Sequence, residues 1–387
     1  MTAERAYLDY NATAPLRPAA RAAMLSALDC AGNPSSVHAE GRAARAIVER
    51  ARRQVATLVG ARTEDIIFTA SGSEANAMAL APGLAQAGSA IKRRLVSAVE
   101  HPSVLQQGKG ADSGLEVLPV DTDGIINRDC LQRALSDAKG PALVSVMAAN
   151  NETGVMQPID EVADIVHKAG GILHVDAVQT VGRVTVDSKA LGADLITLSA
   201  HKLGGPKGVG ALVIAPGRDI ALGLPLVAGG GQERNRRAGT ENVAGIAGFG
   251  AAAEEAGQSL GDWTHVRQLR DRLEADLLED VPEAVIFGRE TDRLPNTICI
   301  ASKALSAETA LISFDLSGVA VSSGSACSSG KVTASHVLVA MGVAPDLAGS
   351  AVRISLGWGT TDTDIALCRQ VWREIHHSLS RRKSRAA

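Results

Sequence analysis

The chain has 387 residues, which is enough for a large hydrophobic core and for two domains. Hydrophobic residues make up 45% and charged residues 21%, the usual mixture of a globular protein. A net charge of −3 and an aromatic content of 2% provide neither the basic field nor the stacking surfaces that nucleic-acid-binding proteins use, so we expect no nucleic-acid partner.

The five cysteines are odd in number and lack CxxC spacing, which disfavours a disulfide framework or a structural zinc site. We therefore expect a reducing compartment and assign no metal ligand. The N-terminus lacks the apolar core of a signal peptide, and no apolar run approaches the length of a membrane span. These features predict a cytoplasmic protein without a membrane partner.

The first two thirds of the chain alternate between helical and strand patterns. Apolar residues recur at helical spacing over 41–60, ahead of a short strand at Ile66–Thr69 and an alanine-rich helical stretch. Further strands are predicted at Arg94–Ala98, Leu143–Ala148, Ile172–Val175, Leu195–Leu198 and Val209–Ile214. Helical patterns lie between several of them, notably at Ile159–Ala169. This alternation predicts an α/β fold with a mostly parallel sheet covered on both faces.

The pattern changes after residue 256. A charged amphipathic helix is predicted at Trp263–Leu278, strands at Thr297–Ala301 and Ala351–Leu356, and a helix at Asp364–Leu379. We interpret residues 257–387, joined by the N-terminal segment 1–14, as a smaller α/β domain. Residues 15–256 then form the large domain.

A lysine and an aspartate follow two of the predicted strands. Lys202 enters a glycine-rich turn after Leu195–Leu198, close to Ser199 and His201. A buried amine beside hydroxyl and imidazole donors suits a Schiff base to an aldehyde cofactor that carries a phosphate. Asp176 ends the strand before it, where a carboxylate can keep a pyridinium nitrogen protonated. The pair predicts pyridoxal 5'-phosphate (PLP) as the cofactor.

Other strand ends carry polar residues that suit the same ligand. Gly72 and Ser73 follow a strand and open a helix, which is a phosphate-binding arrangement, although such a turn is by itself more often a helix cap. His101 and Asn151 end two further strands, where ligands bind in sheets of this kind. We expect His101 to stack on the cofactor ring and relay protons, and Asn151 to contact the ring oxygen or the substrate. A packed histidine and a polar turn are the alternative interpretations.

Cys327 lies in a stretch in which seven of the nine residues from Ser322 to Gly330 are serine or glycine. Such a sequence predicts a mobile, exposed segment, about residues 322–334, rather than a regular element. An accessible thiol there is suited to attack a substrate and to carry a group elsewhere. By contrast, Cys130, Cys299 and Cys368 are expected to be ordinary buried cysteines.

These residues resemble the PLP-dependent cysteine desulfurases of the class V aminotransferase superfamily. The matching motifs are collinear over nearly the whole chain. They are Leu8–Thr13, Gly32–His38, Asn151–Gly154, His174–Gln179, Ser199–Gly208, Gly229–Thr240, the Cys327 segment and Val352–Gly357. The long Cys327 segment is similar to that of the NifS and IscS proteins. The resemblance implies the PLP-dependent transferase fold type I, with a mostly parallel seven-stranded sheet in the large domain, and a homodimer.

The resemblance also implies a role for each residue of the site. Lys202 would hold the cofactor and act as base at the substrate Cα, and His101 would relay protons. Cys327 would attack the sulfur of L-cysteine, leaving a Cys327 persulfide and L-alanine. Contacts to cofactor and substrate are implied for Gly72, Ser73, Ser199 and His201 at the phosphate, Thr240 at the partner subunit's phosphate, Asp176 at the pyridine nitrogen, Gln179 and Asn151 at the ring oxygen and substrate, and Arg353 and Asn33 at the substrate.

Persulfide sulfur would then pass to an acceptor or scaffold protein for the biosynthesis of iron–sulfur clusters or other sulfur-containing cofactors. Three alternatives remain open. A selenocysteine lyase shares the fold and cofactor, but the long Cys327 segment disfavours it. Another PLP lyase or aminotransferase of this fold would make Cys327 incidental, and a sulfur-carrier scaffold without catalysis would not need Lys202, Asp176 and His101.

Overall fold

The structure, a computed structural model, describes residues 5–108, 114–136, 141–216, 219–223, 225–324 and 334–386. The strands are β1 (Ala6–Tyr7), β2 (Ile66–Thr69), β3 (Ala85–Gln86), β4 (Ser89–Ala90), β5 (Arg93–Ser97), β6 (Leu115–Leu118), β7 (Ala142–Met147), β8 (Ile172–Asp176), β9 (Leu195–Ser199), β10 (Gly210–Ile214), β11 (Ile220–Ala221), β12 (Val285–Ile286), β13 (Thr297–Ala301), β14 (Val319–Ala320) and β15 (Val352–Ser355).

The helices are α1 (Pro18–Leu28), α2 (Ala39–Leu58), α3 (Gly72–Ala79), α4 (Pro102–Leu105), α5 (Arg128–Ser136), α6 (Ile159–Lys168), α7 (Gln232–Asn235), α8 (Val243–Gln258), α9 (Trp263–Asp280), α10 (Ala307–Leu316), α11 (His336–Ala340), α12 (Pro345–Ala348) and α13 (Asp362–Ala386). Single 3₁₀ turns lie at Thr63–Asp65, Gln106–Gly108, Ala200–Lys202 and Leu260–Asp262. No helix within these described ranges is long and apolar enough to cross a membrane.

A seven-stranded sheet with the order β2-β10-β9-β8-β7-β5-β6 organises the larger part of the chain. β5 to β9 pair in parallel, whereas β10 runs antiparallel to both of its neighbours, β2 and β9. The central strands β7, β8 and β9 are buried along their whole length because helices cover both faces of the sheet, and the polar residues in their interior, Ser145, His174 and Thr197, are hydrogen-bonded to one another. The predicted α/β fold with a mostly parallel seven-stranded sheet is confirmed. β6 was missed because it lies at the sheet edge, with Glu116 and Val117 exposed.

Apolar side chains collect in two main clusters. The larger one joins the seven-stranded sheet to α2, α6 and α8, with Phe249 and Leu173 fully buried. The second joins α9, α10 and α13 to the antiparallel sheet β12-β13-β15. Ala6 and Leu8 belong to this second cluster, and β1 pairs in parallel with β14. The N-terminal segment thus packs on the C-terminal part of the chain, while the domain limits at residues 14 and 256 stay a prediction.

The cysteines outside the 322–334 segment are free thiols. Cys299 and Cys368 are buried as expected. The expectation is wrong for Cys130, which is partly exposed. It lies on the short amphipathic helix α5, which buries Leu131 and Leu135, so the position next to that face remains accessible to solvent.

Candidate active site

The carboxyl ends of β5, β7, β8 and β9 meet the start of α3 at one cavity of about 340 Å³. Because parallel strands point the same way, side chains that follow them gather at one edge of the sheet. Ten residues predicted from the sequence line this cavity: Gly72, Ser73, His101, Asn151, Asp176, Gln179, Ser199, His201, Lys202 and Arg353. Asn11, Ala12, Asn76 and Ser103 line it too and were not predicted.

Asp176 is the last residue of β8, and neutral donors hold its carboxylate. Its Oδ2 accepts a hydrogen bond from Nδ2 of Asn76 at 2.8 Å, and its Oδ1 accepts one from the backbone N–H of Val178 at 3.1 Å. The same Asn76 amide reaches Oγ of Ser103 at 2.9 Å. Because both donors are uncharged, neither of these contacts pairs the carboxylate with a cation, and it can bind a cationic group in the cavity.

Lys202 ends the 3₁₀ turn that follows β9. Its Nζ donates to the carbonyl oxygens of Asn11 at 2.5 Å and Ala12 at 3.0 Å. The next turn is crowded, since Gly204 has a φ of +89° and a Cβ there would lie 2.6 Å from Cγ of Arg17. A β-carbon would be strained by that conformation as well as by the contact. The N-terminal segment therefore lies directly against the lysine turn and completes the cavity wall.

The start of α3 forms another wall. Ser71 caps the helix by accepting from the backbone N–H of Glu74 at 3.1 Å, and Gly72 is the first helical residue. A Cβ on Gly72 would lie 3.1 Å from Cγ2 of Val178 and 3.2 Å from Cβ of Ser199, so glycine lets the helix start approach β9 closely. Unpaired N–H groups at such a helix start, together with nearby serine hydroxyls, suit a phosphate.

Two histidines of the cavity are neutral. Nδ1 of His101 accepts from the backbone N–H of Ser103 at 3.1 Å, which leaves the ring proton on Nε2. Burial lowers the pKa of His101; the Asp176 charge opposes this, while Lys202 and His336 lower it further. Burial and then the charge of Lys202 lower the pKa of His201 to about 4.

Arg353, on β15, brings a cation to the opposite side of the cavity. It is 5% exposed, and its Nη2 donates to Oδ1 of Asp9 at 2.9 Å while Nη1 donates to the carbonyl of Asn151 at 3.1 Å. Its Nε is buried and has no hydrogen-bond partner among the described residues. A buried donor left in this state suits a carboxylate ligand, which can accept two parallel N–H bonds.

Residues 6–367 match the family model described as Aminotransferase class-V. A cysteine desulfurase from Cereibacter sphaeroides is 45% identical over 369 residues, covering 94% of this chain and 93% of the relative. The cysteine desulfurase IscS of Dictyoglomus turgidum is 42% identical, covering 96% and 95%. The X-ray structure of a NifS-like protein from Rickettsia africae superposes with a TM-score of 0.87 at 35% identity, covering 97% and 100%. The chain belongs to the cysteine desulfurases of the class-V aminotransferase family.

Two residues that the family resemblance singled out, Asn33 and Thr240, lie away from this cavity. Asn33 is exposed ahead of α2, where its Oδ1 accepts from the backbone N–H of Ser35 at 2.9 Å. Thr240 is also exposed, and neither residue lines the cavity of a single chain. Cys327 lies outside the described residues. Gly324, just before it, lines the cavity, and a Cβ there would lie 1.8 Å from Oε2 of Glu152.

The residues present fit the PLP on which this family depends. Lys202 offers an amine and the start of α3 offers a phosphate site. Asp176 offers a carboxylate whose hydrogen bonds within the described part of the chain come from neutral donors. Oδ1 of Asn76 and Nε of Arg353 are buried without a hydrogen-bond partner among the described residues. Buried polar atoms are normally hydrogen-bonded, so these two atoms suit contacts to a bound ligand. Asn76 could have been suspected from the sequence, because it follows Ser73 by one helical turn.

Proposed function

We propose that this protein converts L-cysteine to L-alanine and transfers the sulfur to Cys327 as a persulfide. The observation that carries the proposal is that Lys202, Asp176 and Arg353 come together in one cavity of about 340 Å³. Each meets one requirement of PLP chemistry on an amino acid. Lys202 is an amine that can hold the aldehyde cofactor, Asp176 is a carboxylate for the ring nitrogen, and Arg353 is a guanidinium for the substrate carboxylate. PLP, when bound, supplies an electron sink for bonds at the substrate Cα.

Arg353 binds and orients the substrate. Asp9 and the Asn151 carbonyl hold its guanidinium plane in place, so that Nε can donate to the cysteine carboxylate. Lys202 removes the proton from Cα and later returns a proton, since its Nζ is an amine nitrogen that lies in the cavity. His101 is neutral and carries its ring proton on Nε2. It can donate this proton toward the substrate and so take part in the proton relay.

Cys327 takes the sulfur. Its thiolate attacks the substrate sulfur, so that a sulfur–sulfur bond forms while the bond between Cβ and sulfur breaks. The electron pair of the broken bond stays on the substrate, which gains a proton and leaves as alanine. Cysteine and a thiol thus become alanine and a persulfide, with no outside oxidant or reductant. The persulfide sulfur would then pass to an acceptor or scaffold protein for iron–sulfur or other sulfur-containing cofactors, and a cytoplasmic location is part of the proposal.

A homodimer is also part of the proposal. Thr240 and Asn33 are exposed and away from the cavity of their own chain, which supports roles at the phosphate and substrate of the partner subunit. Exposed apolar side chains at Leu25, Leu28 and Val37 support contact with a second copy. Sedimentation at assay concentration tests this, because a fully active monomer would contradict it.

The purified, PLP-loaded protein should be incubated with L-cysteine and a reductant, and alanine and sulfide should be measured together. We expect equal amounts of both, and a protein-bound persulfide on Cys327 when the reductant is left out. Lys202→Ala provides the matched inactive control. Alanine formation without sulfide or persulfide would refute the proposal, and activity restricted to selenocysteine would favour the lyase.

A further inference from the structure

Arg183 is a buried arginine behind the cavity that has no part in the reaction described above. It is 3% exposed and lies in the turn after β8. Its Nη1 donates to the carbonyl of Gln179 at 2.9 Å and also to Oε1 of the Gln179 side chain, and its Nη2 donates to the carbonyl of Tyr10 at 3.3 Å. No carboxylate within the described residues forms a salt bridge with it.

These contacts determine which way the Gln179 amide points. A guanidinium can only donate hydrogen bonds, so the atom beside Arg183 must be the amide oxygen. The carbonyl of Asn11 can only accept, so the atom beside it, at 3.1 Å, must be the amide nitrogen. Gln179 lines the cavity, and its amide nitrogen has a second hydrogen besides the one bonded to Asn11, so this orientation leaves an N–H donor available to a bound group.

The positive charge of Arg183 also favours an anionic group in the cavity. Burial, followed by the nearby charge of Arg353, lowers the pKa of Arg183 to about 9, so the group is still a cation at pH 7. A buried cation without a counterion is costly unless a bound group supplies negative charge. The cavity that Gln179 lines contains two cationic side chains, Lys202 and Arg353, against one carboxylate, Asp176, so the excess of positive charge favours an anionic oxygen.

We propose that Arg183 is a positioning residue, which holds the Gln179 amide with its N–H toward an anionic oxygen of the cofactor. The inference rests on the proposed function, since it requires that PLP binds in this cavity. A purely structural alternative exists, because the bond from Arg183 to the Tyr10 carbonyl also ties the N-terminal segment to the large sheet. The experiment must therefore separate an effect through Gln179 from a general loss of stability.

A double-mutant cycle on PLP affinity separates the two. The dissociation constant is measured by titrating PLP into the cofactor-free protein for wild type, Arg183→Met, Gln179→Ala and the double variant. We expect each single variant to bind PLP about tenfold more weakly, the effect of losing one hydrogen bond. The double variant should be within about threefold of Gln179→Ala, because Arg183 has nothing to hold once the amide is gone.

Two further variants serve as controls. The dissociation constant of Arg183→Lys for PLP should be within about threefold of the wild-type value, since an ammonium, like a guanidinium, can only donate hydrogen bonds. Arg270→Met removes a buried arginine on α9 outside the cavity, so it should change thermal stability but leave PLP affinity unchanged. If Arg183→Met fails to fold, Gln179→Glu decides: its carboxylate offers an oxygen to the cavity and should bind PLP more weakly than Gln179→Ala.

Additive losses in the cycle, or unchanged PLP affinity in Arg183→Met, would overturn the inference, as would Gln179→Glu binding PLP as well as Gln179→Ala. If the variants differ in PLP affinity as expected but the wild-type protein forms no alanine, the proposed reaction is refuted and the inference about Arg183 stands. A wild-type protein that binds no PLP would overturn both.

Discussion

Removing the Arg353 guanidinium should weaken cysteine binding severely. The group is buried, pairs with Asp9 at 2.9 Å and keeps Nε without a partner among the described residues. Loss of a buried charge-assisted contact costs about 2–5 kcal/mol, which corresponds to roughly 30- to 5000-fold in the dissociation constant. Arg353→Ala also leaves the Asp9 carboxylate without its cation beside the incoming carboxylate, and the repulsion places the expected loss in the upper half of this range, at about 400-fold or more.

The assay is a spectral titration of the PLP-loaded protein with L-cysteine, combined with KM from alanine formation. Arg353→Lys should lose less than Arg353→Ala, because an ammonium keeps the charge but cannot form the planar two-point contact. Adding Asp9→Asn to Arg353→Ala should recover about tenfold, because it removes the repulsion. A dissociation constant for Arg353→Ala within threefold of wild type, or no recovery in the double variant, would refute this reasoning.

Four other predictions concern the cofactor, the thiol and stability. Lys202→Ala should remove the visible absorption band of the PLP-loaded protein without changing its circular dichroism; a borohydride-reducible link to another lysine would contradict the assignment. Cys327→Ser should keep PLP binding but lower sulfide release to near background, because a serine hydroxyl is a poor nucleophile toward sulfur. Substantial turnover of cysteine by this variant would exclude the persulfide route. Gly324→Ala should cost about 1–3 kcal/mol of unfolding free energy in urea, since its Cβ meets Glu152, and adding Glu152→Ala should restore part of it if that contact is the cause. His174 is fully buried, and burial lowers its pKa to about 4, so the unfolded chain binds a proton before the folded protein does as the pH falls below 6.5. The free energy of unfolding should therefore drop by about 3 kcal/mol between pH 6.5 and 4. An equally steep drop in His174→Asn would show that another group is responsible.

Asp176, Ser199 and Lys202 could be located from the sequence because each follows a strongly apolar run. Such runs become buried strands whatever their neighbours are, and strands joined by helices run in parallel. Their polar ends must then gather at one sheet edge, and the structure brings them to one cavity. β6 and Cys130 were misjudged because edge strands and short amphipathic helices have weaker patterns than central strands do.

The sequence by itself determined the α/β class, the succession of central strands and the residues that end them, because these depend on local hydrophobic periodicity. Only the tertiary structure decided the rest of the cavity wall. Asn76 lies within a helix, and Asn11 lies in a segment 191 residues away from Lys202 along the chain. The orientation of the Gln179 amide likewise depends on two groups from different parts of the fold. Local patterns carry no record of such contacts, since they form only when packing brings distant segments together.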